Sequence, residues 1–235
     1  MPIERNFNLT LNQEELLKIL GNNFSQLLKK PKFSQIFCEI QSNLFQLFEP
    51  QLIWDLFPVK DLTPTGFLLE SGVKIGGGPV KEVMGEASKV LLGICTIGPK
   101  FDEEINKFTQ SGNIFEAVIL ESIASFLVDQ VRETFFSQTQ LKIKREGKFN
   151  SILLCPGESD WDVSDHKFFF DLLHPEQIGV SLKESMLMIP MKSLSFMIGV
   201  RNEPFRLDHK RRCDFCSLQP RCRYSQINNG RNLCT

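Results

Sequence analysis

Apolar residues recur at three- and four-residue intervals through most of the first fifty positions. Leu16, Leu17, Leu20, Phe24, Leu27 and Leu28 form one such stripe, with Thr10 or Asn12 placed to cap the helix they predict. A second stripe, Ile36, Phe37, Ile40, Leu44 and Leu47, predicts a helix over 33–48 that Pro50 closes. The period then shortens from Leu52 to Pro64, and GFLLESGVKIGG reads as a hairpin with glycine-rich turns. SKVLLGICTI, at 88–97, is a continuous apolar run ended by Gly98-Pro99 and predicts a strand buried on both faces. Helices are expected over 101–109 and 113–136. In the longer one Ala117, Leu120, Ala124, Leu127, Val131 and Phe135 make the packed stripe, leaving Glu116, Asp129, Arg132 and Glu133 for the wet side. Val180 and Leu182 suggest another central strand over 179–188, preceded by a short helix over 164–173. The fold class is α+β, a mostly antiparallel sheet with helices packed around it.

Composition narrows the function classes. At 235 residues the chain suits one main domain with a short appendage, and 42% hydrophobic against 23% charged residues is ordinary globular usage. Phe outnumbers Tyr and Trp by 21 to three, which points to packing, since Phe asks for no hydrogen-bond partner. A net charge of -1 gives no coat for nucleic acid. No apolar run reaches the ~18 residues of a membrane span and no leader pattern opens the chain, so a cytoplasmic protein with no membrane partner is expected. The charge is unevenly spread: residues 201–235 carry eight Lys/Arg against three Asp/Glu. This divides the chain into a main domain over 1–205 and a basic, cysteine-rich tail over 206–235.

Two segments carry candidate chemistry. In the first, Pro156-Gly157 separates the apolar SILLC from the acidic ESDWD, and glycine there lets a backbone pass close to a ligand. Glu158, Asp160, Trp161 and Glu184 are groups that suit a cationic ligand; the same residues also describe a polar turn in which Asp160 or Asp162 caps a helix. Gly76, Gly77 and Gly78 match neither a Walker loop nor a dinucleotide fingerprint and read as a turn. The second segment is Cys213-x-x-Cys216-x5-Cys222, spaced to bring three thiolates to one metal, with Cys234 as a fourth ligand. Lys210, Arg211, Arg212, Arg221 and Arg223 stand ready to offset thiolate charge. Iron-sulfur and zinc both satisfy the spacing. His166 and His174 flank the short helix as solvent-facing or capping residues, and His209 lies in the basic run.

Three stretches in chain order resemble the activation (reductive reactivation) domain of cobalamin-dependent methionine synthase: LLGICTIGPKFDEEI, IFEAVILESIASFLVDQV, and the run from Leu154 to Val200. In the third, Pro156-Gly157, Asp160-Trp161, Leu172-Leu173, Ile178-Gly179-Val180, Leu182 to Ser185, Met188, Pro190 and Ser193 to Phe196 keep the order and spacing of that family. The resemblance implies S-adenosylmethionine as ligand, presented to an oxidised cobalamin that is held by a partner and restored by reductive methylation. It implies a role as a component of a methionine synthase (methyltransferase) system, with a corrinoid-carrying partner and an electron donor. It carries Cys155, Pro156, Gly157, Glu158, Glu184 and Ser185 over as ligand-binding positions, with no catalytic residue named. Cysteine tails on free-standing relatives favour an iron-sulfur cluster over zinc. One departure matters: the family signature Arg-x-x-x-Gly-Tyr has Leu153 here in place of its arginine and Glu158 in place of its tyrosine. Weak S-adenosylmethionine binding is therefore expected, and the alternative function is a docking or assembly module that keeps the fold without the ligand.

Overall fold

The structure is a computed structural model that describes residues 1–7, 26–207 and 209–222. The first predicted stripe up to Phe24, its caps Thr10 and Asn12, and Cys234 lie outside the described residues.

At the centre is a curled seven-stranded sheet. Its strands are β1 (Ile3–Glu4), β2 (Gln51–Leu62), β3 (Phe67–Leu69), β4 (Lys74–Ile75), β5 (Lys89–Thr96), β6 (Phe149–Leu154) and β9 (Ser193–Arg201). The order is β4-β3-β2-β5-β9-β6, with β1 also paired to β2, and each ladder is antiparallel. Strand β5 lies between β2 and β9, which explains its unbroken apolar run. Leu91 and Cys95 point to one face, Val90, Leu92 and Ile94 to the other, and both faces are covered.

On the first face lie α1 (Pro31–Leu47), α3 (Lys100–Gln110) and α4 (Ile114–Arg145). Proline opens α1 at a position where its missing N–H costs nothing, and Phe37, Ile40 and Leu44 form its buried stripe. Helix α4 runs nine residues past the expected end. Unlike an ordinary surface helix it is buried on several sides. The second face is covered by α2 (Val80–Met84), α5 (His166–Leu173) and a 3-10 turn over Pro175–Ile178.

The expected central strand over 179–188 is not there. Gly179 takes a positive φ of 73° after the 3-10 turn, and Ile178 from the end of that turn and Val180 from irregular chain fill the second core. Only β7 (Ser181–Leu182) and β8 (Met188–Ile189) pair, as a separate hairpin whose tip is closed by Lys183 N–H to Leu187 O and Met186 N–H to Lys183 O, both 2.9 Å. The central place belongs to β9, where SLSFMIGVR alternates between the two cores.

Strands β5 and β9 meet at Gly93 opposite Phe196. A Cβ at position 93 would lie 2.2 Å from Phe196 Cζ, and that ring is fully buried and tilted against Phe135 at 5.7 Å. With no room to swing, Gly93→Ala is expected to cost about 1–3 kcal/mol, measurable by chemical denaturation.

Candidate functional site

The edge strand β6 delivers the chain into the turn over 155–162. Cys155 at its start and Trp161 near its end are buried, and Gly157 N–H donates to Trp161 O at 2.7 Å, Glu158 N–H to Cys155 O at 3.1 Å and Trp161 N–H to Glu158 O at 3.0 Å. Gly157, Ser159 and Asp160 have positive φ values of 86°, 53° and 63°. Two non-glycine residues in succession in that region mean stored backbone strain, and surroundings that hold it in place. The Ser159 hydroxyl is buried without a hydrogen-bond partner among the described residues. Asp162 caps the 3-10 turn ahead of α5, accepting from Ser164 N–H at 2.7 Å, as its type predicted.

The glycine run is the second wall of this turn. A Cβ on Gly77 would sit 2.6 Å from Trp161 Cδ1, and one on Gly78, whose φ is +49°, would sit 2.1 Å from Ser159 O. Asp165 ties the two segments, accepting from Gly76 N–H at 2.9 Å and from Trp161 Nε1–H at 2.7 Å. The glycines thus serve close packing against the turn. Beside them an open groove of about 600 Å³ is lined by Asp61, Thr65, Lys74, Gly76, Asp165 and Phe168.

On the opposite side the turn meets charges that the helical pattern had assigned to water. Arg132 of α4 is 1% exposed and Glu133 is buried. The Arg132 guanidinium donates to Cys155 Sγ at 3.1 Å, pairs closely with Asp129, and lies 3.5 Å from Glu133 and 3.6 Å from Glu158. A second guanidinium arrives from the tail: Arg212 stands 3.2 Å from Asp129, 3.6 Å from Glu133 and 3.5 Å from Glu158. Two arginines and three carboxylates therefore share one largely buried volume. The pattern misled because one turn of α4 faces neither water nor the sheet; it faces the turn and the tail. The i,i+3 pairing of Asp129 with Arg132, inside a helix apolar on more than one side, was the available signal.

Burial opposes the charge on Arg132, but Asp129, Cys155, Glu158 and Glu133 together hold its pKa well above the ordinary value. Burial pushes the Glu158 carboxyl upward, with Asp129 adding and Arg132 opposing. Because 40% of the Glu158 side chain is exposed, water relieves part of that cost, and the direction is what stands. The Cys155 thiol is held well above its ordinary pKa, chiefly by burial, and Cys95 is raised to about 12 for the same reason. Both are neutral packing thiols rather than nucleophiles.

Of the positions carried over by resemblance, Cys155, Pro156, Gly157 and Glu158 fall together in this turn. Glu184 and Ser185 lie in the exposed tip of the β7–β8 hairpin. Leu153 is 4% exposed within the helix-side core. His166 is buried rather than solvent-facing, with Nδ1 3.1 Å from Met186 O, while His174 is exposed and ends α5 in the left-handed region. Burial lowers the pKa of His166 from its ordinary 6.5. The folded protein therefore resists a proton that the unfolded chain accepts, and stability is lost as pH falls below about 6.5 toward the depressed value. The difference in unfolding free energy between the unmodified protein and His166→Asn should change in that window and level off above it.

The tail is anchored on both faces of the sheet. Phe205, Leu207 and Phe215 join the second core, whereas Arg212 reaches across to α4, so the segment covers the edge strand β6. Cys213 lies within a 3-10 turn over Arg212–Phe215 that Cys216 ends, its N–H donating to Cys213 O at 3.3 Å, and Cys222 follows a second such turn. Among the described residues no three His, Cys, Asp or Glu side chains are grouped to hold a metal ion. Arg212, expected to serve the thiols, instead pairs with the carboxylates of the turn and α4.

Neither a family profile nor a curated protein sequence matches the chain. Among solved structures, the crystal structure of the MetH reactivation domain bound to AdoHcy aligns with it at a TM-score of 0.56, over 74% of this chain and 68% of that one. The fold is that of the MetH reactivation domain. Sequence identity is 14%, so the likeness to the reactivation domain is one of architecture: a curled antiparallel sheet with helices. None of the described helices is long and apolar enough to cross a membrane.

Proposed function

We propose that the chain is an accessory protein of a corrinoid-dependent methyl-transfer system, acting in the cytoplasm on a corrinoid-carrying partner such as methionine synthase. The observation that carries this reading is the fold shared with the MetH reactivation domain, whose crystal structure holds AdoHcy. S-adenosylmethionine, the ligand implied by resemblance, supplies a methyl group in such a system. The chain's own part is to hold that ligand at the turn over 155–158 and to present it to the partner.

The residues around the turn fit such a ligand in part. With all groups ionised, Asp129, Glu133 and Glu158 outnumber Arg132 and Arg212 by one charge, which favours a cation such as a sulfonium. What the turn lacks is an uncommitted arginine for the ligand's carboxylate. Leu153 fills the signature position, and Arg132 is already engaged by three carboxylates. Losing a charge-assisted contact of that kind costs a factor on the order of a hundred in affinity. Calorimetry with S-adenosylmethionine is thus expected to give a dissociation constant weaker than low micromolar. Arg212→Ala should tighten it severalfold by freeing Glu158 to face the sulfonium.

A second reading is favoured by Arg212 itself. Its contact with Glu158 closes the turn from the tail side, as in a docking module that keeps the fold and dispenses with the ligand. No heat of binding from either protein would select it. For the tail we propose Cys213, Cys216 and Cys222, with Cys234, as the thiolate set of an iron-sulfur or zinc centre, on their spacing and the turns that separate them. Metal analysis of protein purified without oxygen should find iron with sulfide, or zinc, that falls on Cys216→Ser and not on Cys38→Ser.

A further inference from the structure

A cleft with no part in the reading above opens at the far end of β6, roughly 20 Å along that strand from the turn, at ~3.3 Å per residue. It lies between the last turns of α4 and the sheet and encloses about 300 Å³, the lower end of small-molecule sites. Trp54 of β2 and Leu91 of β5 form its apolar wall, and Thr139 contributes from α4. Its rim is basic. Lys89 comes from the start of β5, Lys142 from α4, and Lys148 from the turn into β6; against these three stands one acid, Glu146, paired with Lys148 at 3.0 Å.

Two features of Trp54 point to a ligand. Lys142 Nζ stands 5.9 Å from the indole centroid, leaving an ammonium beside an aromatic face. The Trp54 Nε1–H is buried and has no hydrogen-bond partner among the described residues. A buried donor left unpaired costs free energy that an acceptor would recover, and buried donors are nearly always satisfied. Trp161, by contrast, spends its Nε1–H on Asp165.

We infer that this cleft is a binding site for a planar aromatic anion, its ring against Trp54 and Leu91 and its acidic group among Lys89, Lys142 and Lys148. The apolar wall recognises the ring, and the rim, carrying a surplus of two positive charges, recognises the anion.

The chain has two tryptophans, so a nitrogen-15 correlation spectrum of the intact protein carries two indole signals, assigned by Trp54→Phe. Titration with 1-naphthoate should move the Trp54 signal saturably and leave that of Trp161 in place. The neutral 1-naphthalenemethanol should bind about tenfold more weakly or worse, and so should naphthoate to the Lys142→Glu variant, each having lost a charge contact. Lys142 is exposed, and a dispersed spectrum verifies that the variant is folded; Lys89→Glu gives the same reading from a second position. A Trp54 signal unmoved at millimolar naphthoate overturns the inference. So does equal binding of the neutral alcohol, equal binding by both variants, or an equal response to inorganic phosphate alone.

Discussion

Arg132→Ala is expected to lose about 3–5 kcal/mol of stability, because it empties a buried guanidinium site and removes the cation that now pairs the buried Glu133 and the partly buried Asp129 and Glu158. Arg212 would remain at 3.2 Å from Asp129, 3.6 Å from Glu133 and 3.5 Å from Glu158, too few guanidinium contacts to replace both arginines. Arg132→Lys should recover little of the loss. One ammonium cannot reach Cys155 and three carboxylates from one position, whereas the planar fork of arginine does. The loss in Arg132→Ala should shrink on acidification. Protonating Glu158, whose carboxyl is already held above its ordinary value by burial, removes part of the repulsion that the substitution creates. Denaturant unfolding at neutral and mildly acidic pH measures both effects, and a loss below about 1 kcal/mol at neutral pH would mean that water already solvates the cluster.

Leu153→Arg should be nearly as damaging, and for a reason that bears on function. At the level of resemblance this change restores a signature arginine. In the fold it places a cation at a position 4% exposed within the helix-side core, on the same face of the chain as Cys155, which Arg132 already contacts. An unpaired charge there, beside a like charge, is expected to cost about 3 kcal/mol or more and to leave S-adenosylmethionine affinity unimproved. A folded Leu153→Arg protein with tight binding would show that position 153 faces a ligand and that Arg132 can yield.

The readable parts of the sequence were those in which burial and period coincide. Strand β5, covered on both faces, announced itself by a run of apolar residues, and α1 by its stripe. The segment 179–188 was misread because its buried apolar residues, Val180 and Met188, are separate plugs, one from irregular chain and one from a two-residue strand of a side hairpin, and alternation alone cannot tell these from a central strand. At the site, the turn was legible from Pro156-Gly157. The company it keeps was not. Arg132 and Glu133 are buried only because the tail and the turn meet α4 there, a fact of tertiary contact that helical periodicity does not encode. The role of Gly77 and Gly78 is equally nonlocal, since what excludes a Cβ is Trp161 and Ser159, some eighty residues away in sequence.

The proposed role requires a corrinoid partner, and the most direct measurement is to mix the purified chain with a methionine synthase cobalamin domain carrying cob(II)alamin. The account predicts a saturable complex in sedimentation velocity, together with a shift in the cob(II)alamin absorption bands as the cobalt's surroundings change. Protein that sediments as two separate species, with an unaltered corrinoid spectrum at every ratio tested, would contradict it.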